Sequence, residues 1–531
     1  MEINQTLEKF WRLEESAEQS VLPSREEGQA VKLLVNSLTR SDDDQRYQIA
    51  TPWKQDPISL PVNREMAIKR LLSTEKSLEK RGLKQDYVNI LDDHRKKGYI
   101  RPVDPTGEPS KNYLPHFPVV RPNATSTKMR IVFDASAEFN GTSLNQYVHK
   151  GPKLQRELVD VLLRFRQAPV AIACDITEMY LQIELARQDR KYHRFLWRDD
   201  QNQEIKEFEF SRLVFGVNSS PCQAQFVTQT HAAAAAERLP AAAEAVLQAT
   251  YMDDTMDSVE IEEDGIKLYH QLTQLWNEAG MHAKKWLSNS EKVLKNVPVV
   301  DRASKIDLEA DELPNIKTLG LLWIAKQDVF TFSSADIEVR INTKRTFLSR
   351  VASLFDPLGM LGPFVVRAKI ILQNIWLAKQ DWDEPLEADL SKQIDDWFSE
   401  LPRVARIRIP RCLRYHGRVI HKSLHFFSDA SAEAYATVGY LRTVYDDGQV
   451  SVRHISAKTK VAPLKAVSIP RLELIGAVCS VKLAPRISKT LKVSDVTFWT
   501  DSQNVLWWIC LLYTSDAADE RSSVDLGGRR I

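Results

Sequence analysis

Two carboxylates, Asp253 and Asp254, stand side by side at the end of the strand-like run Gln248-Ala249-Thr250-Tyr251-Met252. On a regular strand, neighbouring side chains point to opposite faces, so two adjacent acids can share a cation only where the chain bends. The pair therefore predicts a turn or hairpin tip, although a solvated turn with no further role has the same appearance. What changes the reading is Asp175, which closes the apolar run Val170-Ala171-Ile172-Ala173-Cys174. An acid at the end of a buried strand is costly unless it is paired or binds a metal. Asp175, Asp253 and Asp254 together offer hard oxygen ligands of the kind that suit Mg²⁺, with Mn²⁺ also compatible. Two such ions about 3.5–4 Å apart can activate an attacking hydroxyl and stabilise the leaving group of an in-line phosphoryl displacement.

The chain of 531 residues is long enough for about three domains at roughly 100–200 residues each. Lys plus Arg (72) nearly equals Asp plus Glu (71), which excludes a basic coat but leaves room for a groove that binds nucleic acid. A hydrophobic fraction of 43% and a charged fraction of 27% fit folded globular domains. Five scattered cysteines with no C-x-x-C pair exclude a zinc knuckle and a dense disulfide framework, and point to a reducing compartment. The amino terminus is charged from Glu2, and the alanine-rich run from His231 is interrupted by Glu237, Arg238, Pro240 and Glu244. Neither reads as a secretory or membrane-spanning segment, so a cytoplasmic chain without membrane contact is expected. Residues 1–100 read as a helical lead-in, and the proline-rich stretch from Arg101 as a boundary. Short strands then alternate with helices from residue 128 to about 290.

Other segments fall in order around the acids. Thr127-Lys128-Met129-Arg130 precedes Phe133-Asp134-Ala135-Ser136; Phe215-Gly216 leads into Ser220-Pro221; Tyr180 lies shortly after Asp175; Lys285 stands in Lys284-Lys285-Trp286. Individually these also describe a solvated edge strand, a routine helix start, a core tyrosine and a surface lysine. Together they resemble the fingers and palm of reverse transcriptases. That resemblance implies an α+β right-hand polymerase with Arg130, and more weakly Lys128, binding the incoming triphosphate. It makes Tyr180 a steric gate against a ribose 2′-hydroxyl and sets Phe215 and Gly216 against the nascent base pair. Tyr251 and Met252 would line the nucleotide site, and Lys285 would approach the leaving pyrophosphate. The partners implied are an RNA template, a DNA primer and deoxynucleoside triphosphates. The spelling of these segments, with the run from Ser349 through Phe355-Asp356-Pro357-Leu358-Gly359 to Trp376, resembles the BEL/Pao class of long-terminal-repeat retrotransposon polyproteins. The family implies other polyprotein segments as partners and a virus-like particle in the cytoplasm; a dimer is also compatible. Residues 101–290 are then expected as fingers and palm, and 291–415 as thumb and connection. The latter segment is sometimes given a Pao-type peptidase name, but it shows no protease signature, and its Asp-Pro-Leu-Gly run reads as a turn.

A second set of acids follows. Asp429 ends the strand-like His425-Phe426-Phe427-Ser428, Glu473 lies in an amphipathic helix opened by Pro470, and Asp501 ends Val496-Thr497-Phe498-Trp499-Thr500. Strand-acid, helix-acid, strand-acid resembles ribonuclease H, whose carboxylates hold two Mg²⁺ ions, and predicts a truncated domain over 416–509. A fourth carboxylate and further strands are missing, so nuclease activity is expected to be incomplete. Residues 510–531 back-translate as a DNA sequence resembling a transposase-based sequencing adaptor and its adjoining primer, and are expected to stand outside the fold. Two rivals remain: a catalytically dead or host-adopted remnant that only binds nucleic acid, and a templated RNA polymerase, against which Tyr180 argues.

Overall fold

The computed structural model describes residues 24–510 apart from 42–44, 55–58, 105, 121–128, 304–314, 319–320, 333–342 and 416. Lys128 and residues 511–531 therefore lie outside the described residues.

Helices α1 (Arg64–Lys80) and α2 (Lys84–Lys96) form where apolar positions recur every three or four residues. Their buried Ala67, Leu71, Leu78, Tyr87 and Leu91 share one core with Met129, Ile131, Phe133, Phe195, Trp197, Phe208 and Phe210. Met129, Ile131 and Phe133 lie on strand β2 (Met129–Phe133), which pairs antiparallel with β1 (His116–Val120). Packing therefore does not part at residue 100. Within the described part of the proline-rich stretch, His116–Val120 is a strand and Tyr113 and Leu114 enter this core, so the stretch runs through a core instead of ending one.

The short helix α3 (Leu158–Phe165) leads into β3 (Val170–Ile176). A four-stranded sheet is built on β3 in the order β4-β5-β3-β6, with β4 Thr250–Tyr251, β5 Asp254–Val259 and β6 Ala283–Ser288. The near-continuous apolar run of β3 is explained by burial on both faces. Val170, Ile172, Cys174 and Ile176 enter one core with Tyr180, Leu213, Ala224, Leu268 and Trp276. Ala171 and Ala173 enter another, shared with α3, Trp323, Phe347, Trp397, Leu424 and Leu483. The alanines leave room for α3 to lie against the sheet.

That second core also spans residue 415, joining Leu413 to Leu424. The last sheet has the order β9-β8-β7-β10, with β7 Val419–Ala430, β8 Ala434–Tyr445, β9 Val450–Val461 and β10 Val496–Thr500, and helix α4 (Gly362–Leu377) packs on its edge strand β9. The Asp356-Pro357-Leu358-Gly359 run is a turn, its Asp356 carboxylate accepting from the Met360 and Leu361 amides at 2.9 and 2.6 Å. It docks on β9, where the Ala457 amide donates to the Leu358 carbonyl at 2.8 Å. Arg166, 1% exposed, donates to the carbonyls of Arg411 (3.0 Å), Ile455 (3.1 Å) and Pro410 (3.4 Å). Helix α5 (Ile469–Leu491) covers one face of the last sheet and reaches α3, where Arg486 and Asp160 pair bidentately at 2.7 and 3.1 Å. Among the described residues no helix is long and apolar enough to cross a membrane.

Candidate functional site: two sets of carboxylates

The adjacent acids sit on a two-residue hairpin. Tyr251 pairs with Asp254 across β4 and β5, so Met252 and Asp253 form the tip, and Met252 takes a positive φ of 59°. Two hydrogen bonds hold that tip down. The Asp253 carbonyl accepts from the Ile176 amide at 2.9 Å, and the Met252 carbonyl accepts from Gln225 Nε2 at 3.0 Å. Across the sheet Asp254 lies opposite Asp175 in the β5–β3 register. From the other side β6 places Lys284 opposite Asp175, and an irregularity between Lys284 and Leu287 gives Lys285 a φ of 55°. The Lys285 ammonium is thereby turned onto Asp175 Oδ2.

Too little positive charge reaches these acids. Burial, then Asp253, then Asp175 push the Asp254 carboxyl up to about 7, only partly opposed by Lys285. Burial and Asp175 also raise Asp253, against the pull of Lys285 and of Arg130 on β2. Hard oxygens held close and short of countercharge fit a divalent cation. Among the described residues, the group with ligand atoms all within 4.8 Å is the other set, Asp429, Glu473 and Asp501.

Around the hairpin, Tyr180 is buried and its ring lies 4.3 Å from that of Phe215, tilted by 60°. Phe215 is 47% exposed beside Gly216, whose φ is 114°. A Cβ at Gly216 would stand 1.8 Å from the Phe133 carbonyl oxygen, so only glycine lets this loop approach β2 so closely. Asn145 and Asn218, which sequence reasoning missed, lock the loop. Asn145 Nδ2 donates to the Gly216 carbonyl at 3.1 Å, and Asn218 donates its amide to Asn145 Oδ1 at 2.9 Å. Nothing local in the sequence signals a pair so far apart. Ser220 donates to the Val214 carbonyl at 2.8 Å inside the first turn of the helix Ser220–Ala234.

The second set is assembled from regular elements. Strands β7 and β10 run parallel in the register Leu424↔Val496 to Ser428↔Thr500, which leaves Asp429 and Asp501 side by side one residue further on. Glu473 comes from α5, 8% exposed, its carboxyl raised by burial and then by Asp429 and Asp501. Its Oε2 is buried without a hydrogen-bond partner. A buried carboxylate oxygen with no donor, facing two further acids, is chemically suited to a cation.

The fold and these two sites define a chain in which a polymerase-type sheet is followed by a ribonuclease H-like sheet. Comparison with known families makes this specific. Residues 122–286 match the reverse transcriptase (RNA-dependent DNA polymerase) family, and residues 343–502 match the Pao retrotransposon-like RNaseH-like domain. The chain thus carries a reverse transcriptase-type domain followed by a Pao retrotransposon-like RNaseH-like domain. The second match begins within the segment expected as thumb and connection, in keeping with the undivided core there. No curated protein matches the chain. Solved structures similar to it include the foamy viral protease-reverse transcriptase dRH in complex with double-stranded DNA: 13% identity, 99% of this chain and 78% of that one, TM-score 0.48. The foamy viral protease-reverse transcriptase in complex with an RNA/DNA hybrid is similar at 13% identity, 95% of this chain and 63% of that one, TM-score 0.49.

Proposed function

We propose that this chain is an RNA-directed DNA polymerase of a BEL/Pao-like retroelement, extending a DNA primer on an RNA template with deoxynucleoside triphosphates. The observation that carries the reading is the placing of Asp254 opposite Asp175 beneath a hairpin tipped by Asp253. In this reading Asp175, Asp253 and Asp254 hold two Mg²⁺ ions, with Mn²⁺ able to substitute, and the ions supply charge neutralisation at the attacking and leaving oxygens. Arg130, with Lys128, binds the triphosphate, and Lys285 exchanges Asp175 for the leaving pyrophosphate. Tyr180 excludes the ribose 2′-hydroxyl, while Phe215, Gly216, Tyr251 and Met252 line the nascent pair. Asp429, Glu473 and Asp501 hold cations against the RNA strand of the hybrid. The setting is the cytoplasmic particle of the element, among other polyprotein segments.

A second reading, a nucleic-acid-binding remnant without turnover, draws on one observation: the Lys285 ammonium already occupies Asp175. Mg²⁺-dependent extension of a DNA primer on an RNA template, by the chain and by its Asp253→Asn variant, separates the two. Extension by the first alone supports the polymerase. Tight hybrid binding without extension supports the remnant, and extension that survives Asp253→Asn overturns the assignment of the metal ligands.

A further inference from the structure

Between Asp175 and Tyr180 the chain passes through Glu178, a non-glycine residue with a φ of 52°. The left-handed region is uncommon for such a residue and persists only where surrounding contacts over-determine it. Those contacts come from the segment read in sequence as a lead-in. The Glu178 carboxylate accepts from Lys97 Nζ at 2.9 and 3.1 Å and from the Tyr99 hydroxyl at 2.8 Å. Lys97 is itself paired with Asp93 at 2.7 Å. Gln182 Nε2 donates to the Tyr99 hydroxyl at 3.0 Å, and Arg46 Nη1 donates to Gln182 Oε1 at 2.7 Å.

The side chains of Glu178 and Lys97 are 30% and 39% exposed, so the pair adds little to stability. A glycine would adopt this φ without strain; what glutamate adds is the anchor. The turn is tied together, the Leu181 amide donating to the Glu178 carbonyl at 2.8 Å and the Ile183 amide to the Tyr180 carbonyl at 3.2 Å. A rotation at Glu178 therefore displaces the Tyr180 ring from its contact with Phe215.

We propose that Glu178, anchored by Lys97 and Tyr99, is a positioning residue that fixes the Tyr180 ring and thereby sets the discrimination between deoxyribonucleoside and ribonucleoside triphosphates. The inference rests on the polymerase reading above. It is tested with the full chain by measuring kcat and KM for both nucleotide classes on an RNA template, in wild type, Lys97→Met, Tyr99→Phe and Lys97→Arg. Lys97→Met and Tyr99→Phe should lower the preference for deoxynucleotides by about tenfold, the scale on which a small misplacement of a positioned group acts. The change should come through a lower KM for ribonucleotides with kcat for deoxynucleotides retained, and Lys97→Arg should keep the wild-type ratio. Tyr99→Phe removes a single hydroxyl and carries the test if Lys97→Met fails to fold. Wild-type extension with an unchanged ratio in the folded variants overturns this inference alone. A wild-type chain that incorporates neither nucleotide overturns the polymerase reading and this inference together.

Discussion

At the Tyr251–Asp254 hairpin, acids adjacent in sequence are brought to bear by bending the backbone, whereas Asp429, Glu473 and Asp501 meet from two strands and a helix. The supports of the first arrangement use irregular backbone: Glu178, Met252 and Lys285 have positive φ, as does Gly216 nearby, although Asp175, Asp253 and Asp254 do not. None of the second three does. The first also carries its own countercharge in Lys285, while the second leaves Glu473 Oε2 without any donor. A site on bent backbone can shift its ligands by small torsional changes but depends on every local support. A site at the ends of docked elements is already drawn within 4.8 Å and depends mainly on their packing.

The sharpest way to break this contrast is to disable each set separately. On the proposed function, Asp253→Asn should lower primer extension by about a thousandfold, since loss of a proposed metal ligand would forfeit several kcal/mol of transition-state stabilisation. It should leave Mn²⁺ binding at the second set intact, as followed by calorimetry. Glu473→Gln should do the reverse, weakening that binding at least about tenfold while extension continues. Parallel losses in both variants would show that the shared core couples the sites.

Next in size is the response to an added methyl group. Gly216→Ala forces a Cβ against the Phe133 carbonyl oxygen at a φ of 114° and should cost about 3 kcal/mol or more by chemical denaturation. Gly476 on α5 meets nothing nearer than 3.5 Å, so Gly476→Ala should stay within about 1 kcal/mol of wild type, with helix propensity in its favour. Equal effects would contradict the contrast between strained and regular supports.

The smallest effect concerns pH. Asp254 has a folded-state pKa, about 7, above its ordinary value, so the fold binds the proton more tightly than the unfolded chain. Its contribution to stability is present at low pH and is lost as pH rises from about 4, the ordinary range for aspartate, through about 7. In chelator, Asp254→Asn should flatten that decline, and Mg²⁺ should oppose it in the wild type. Lys285→Met removes an opposing positive charge and should move the upper end of the decline to higher pH. A slope identical in wild type and Asp254→Asn would refute the assignment.

Much of this was legible beforehand because it is local. The apolar run before Asp175, the turn at Met252-Asp253, the helix opened by Pro470 and the order of the second acids each depend on a few neighbouring residues. That hydrophobic cores span residues 100 and 415 was not legible, since proline-rich extended chain looks alike whether it links two cores or crosses one. The pairing of Lys285 with Asp175, the locking of Gly216 by Asn145 and the grip of Lys97 and Tyr99 on Glu178 were not legible either.

By itself, then, the sequence determined which residue types could hold cations and in which order strands and helices present them, because hydrophobic periodicity and turn chemistry act over a few residues. Only the tertiary structure decided that Asp175 is paired with Lys285 while the second set closes to within 4.8 Å, and that the amino-terminal segment holds the turn carrying Tyr180. Those outcomes depend on side chains far apart in the chain, where distance and burial, not residue type, fix the energy of each charge.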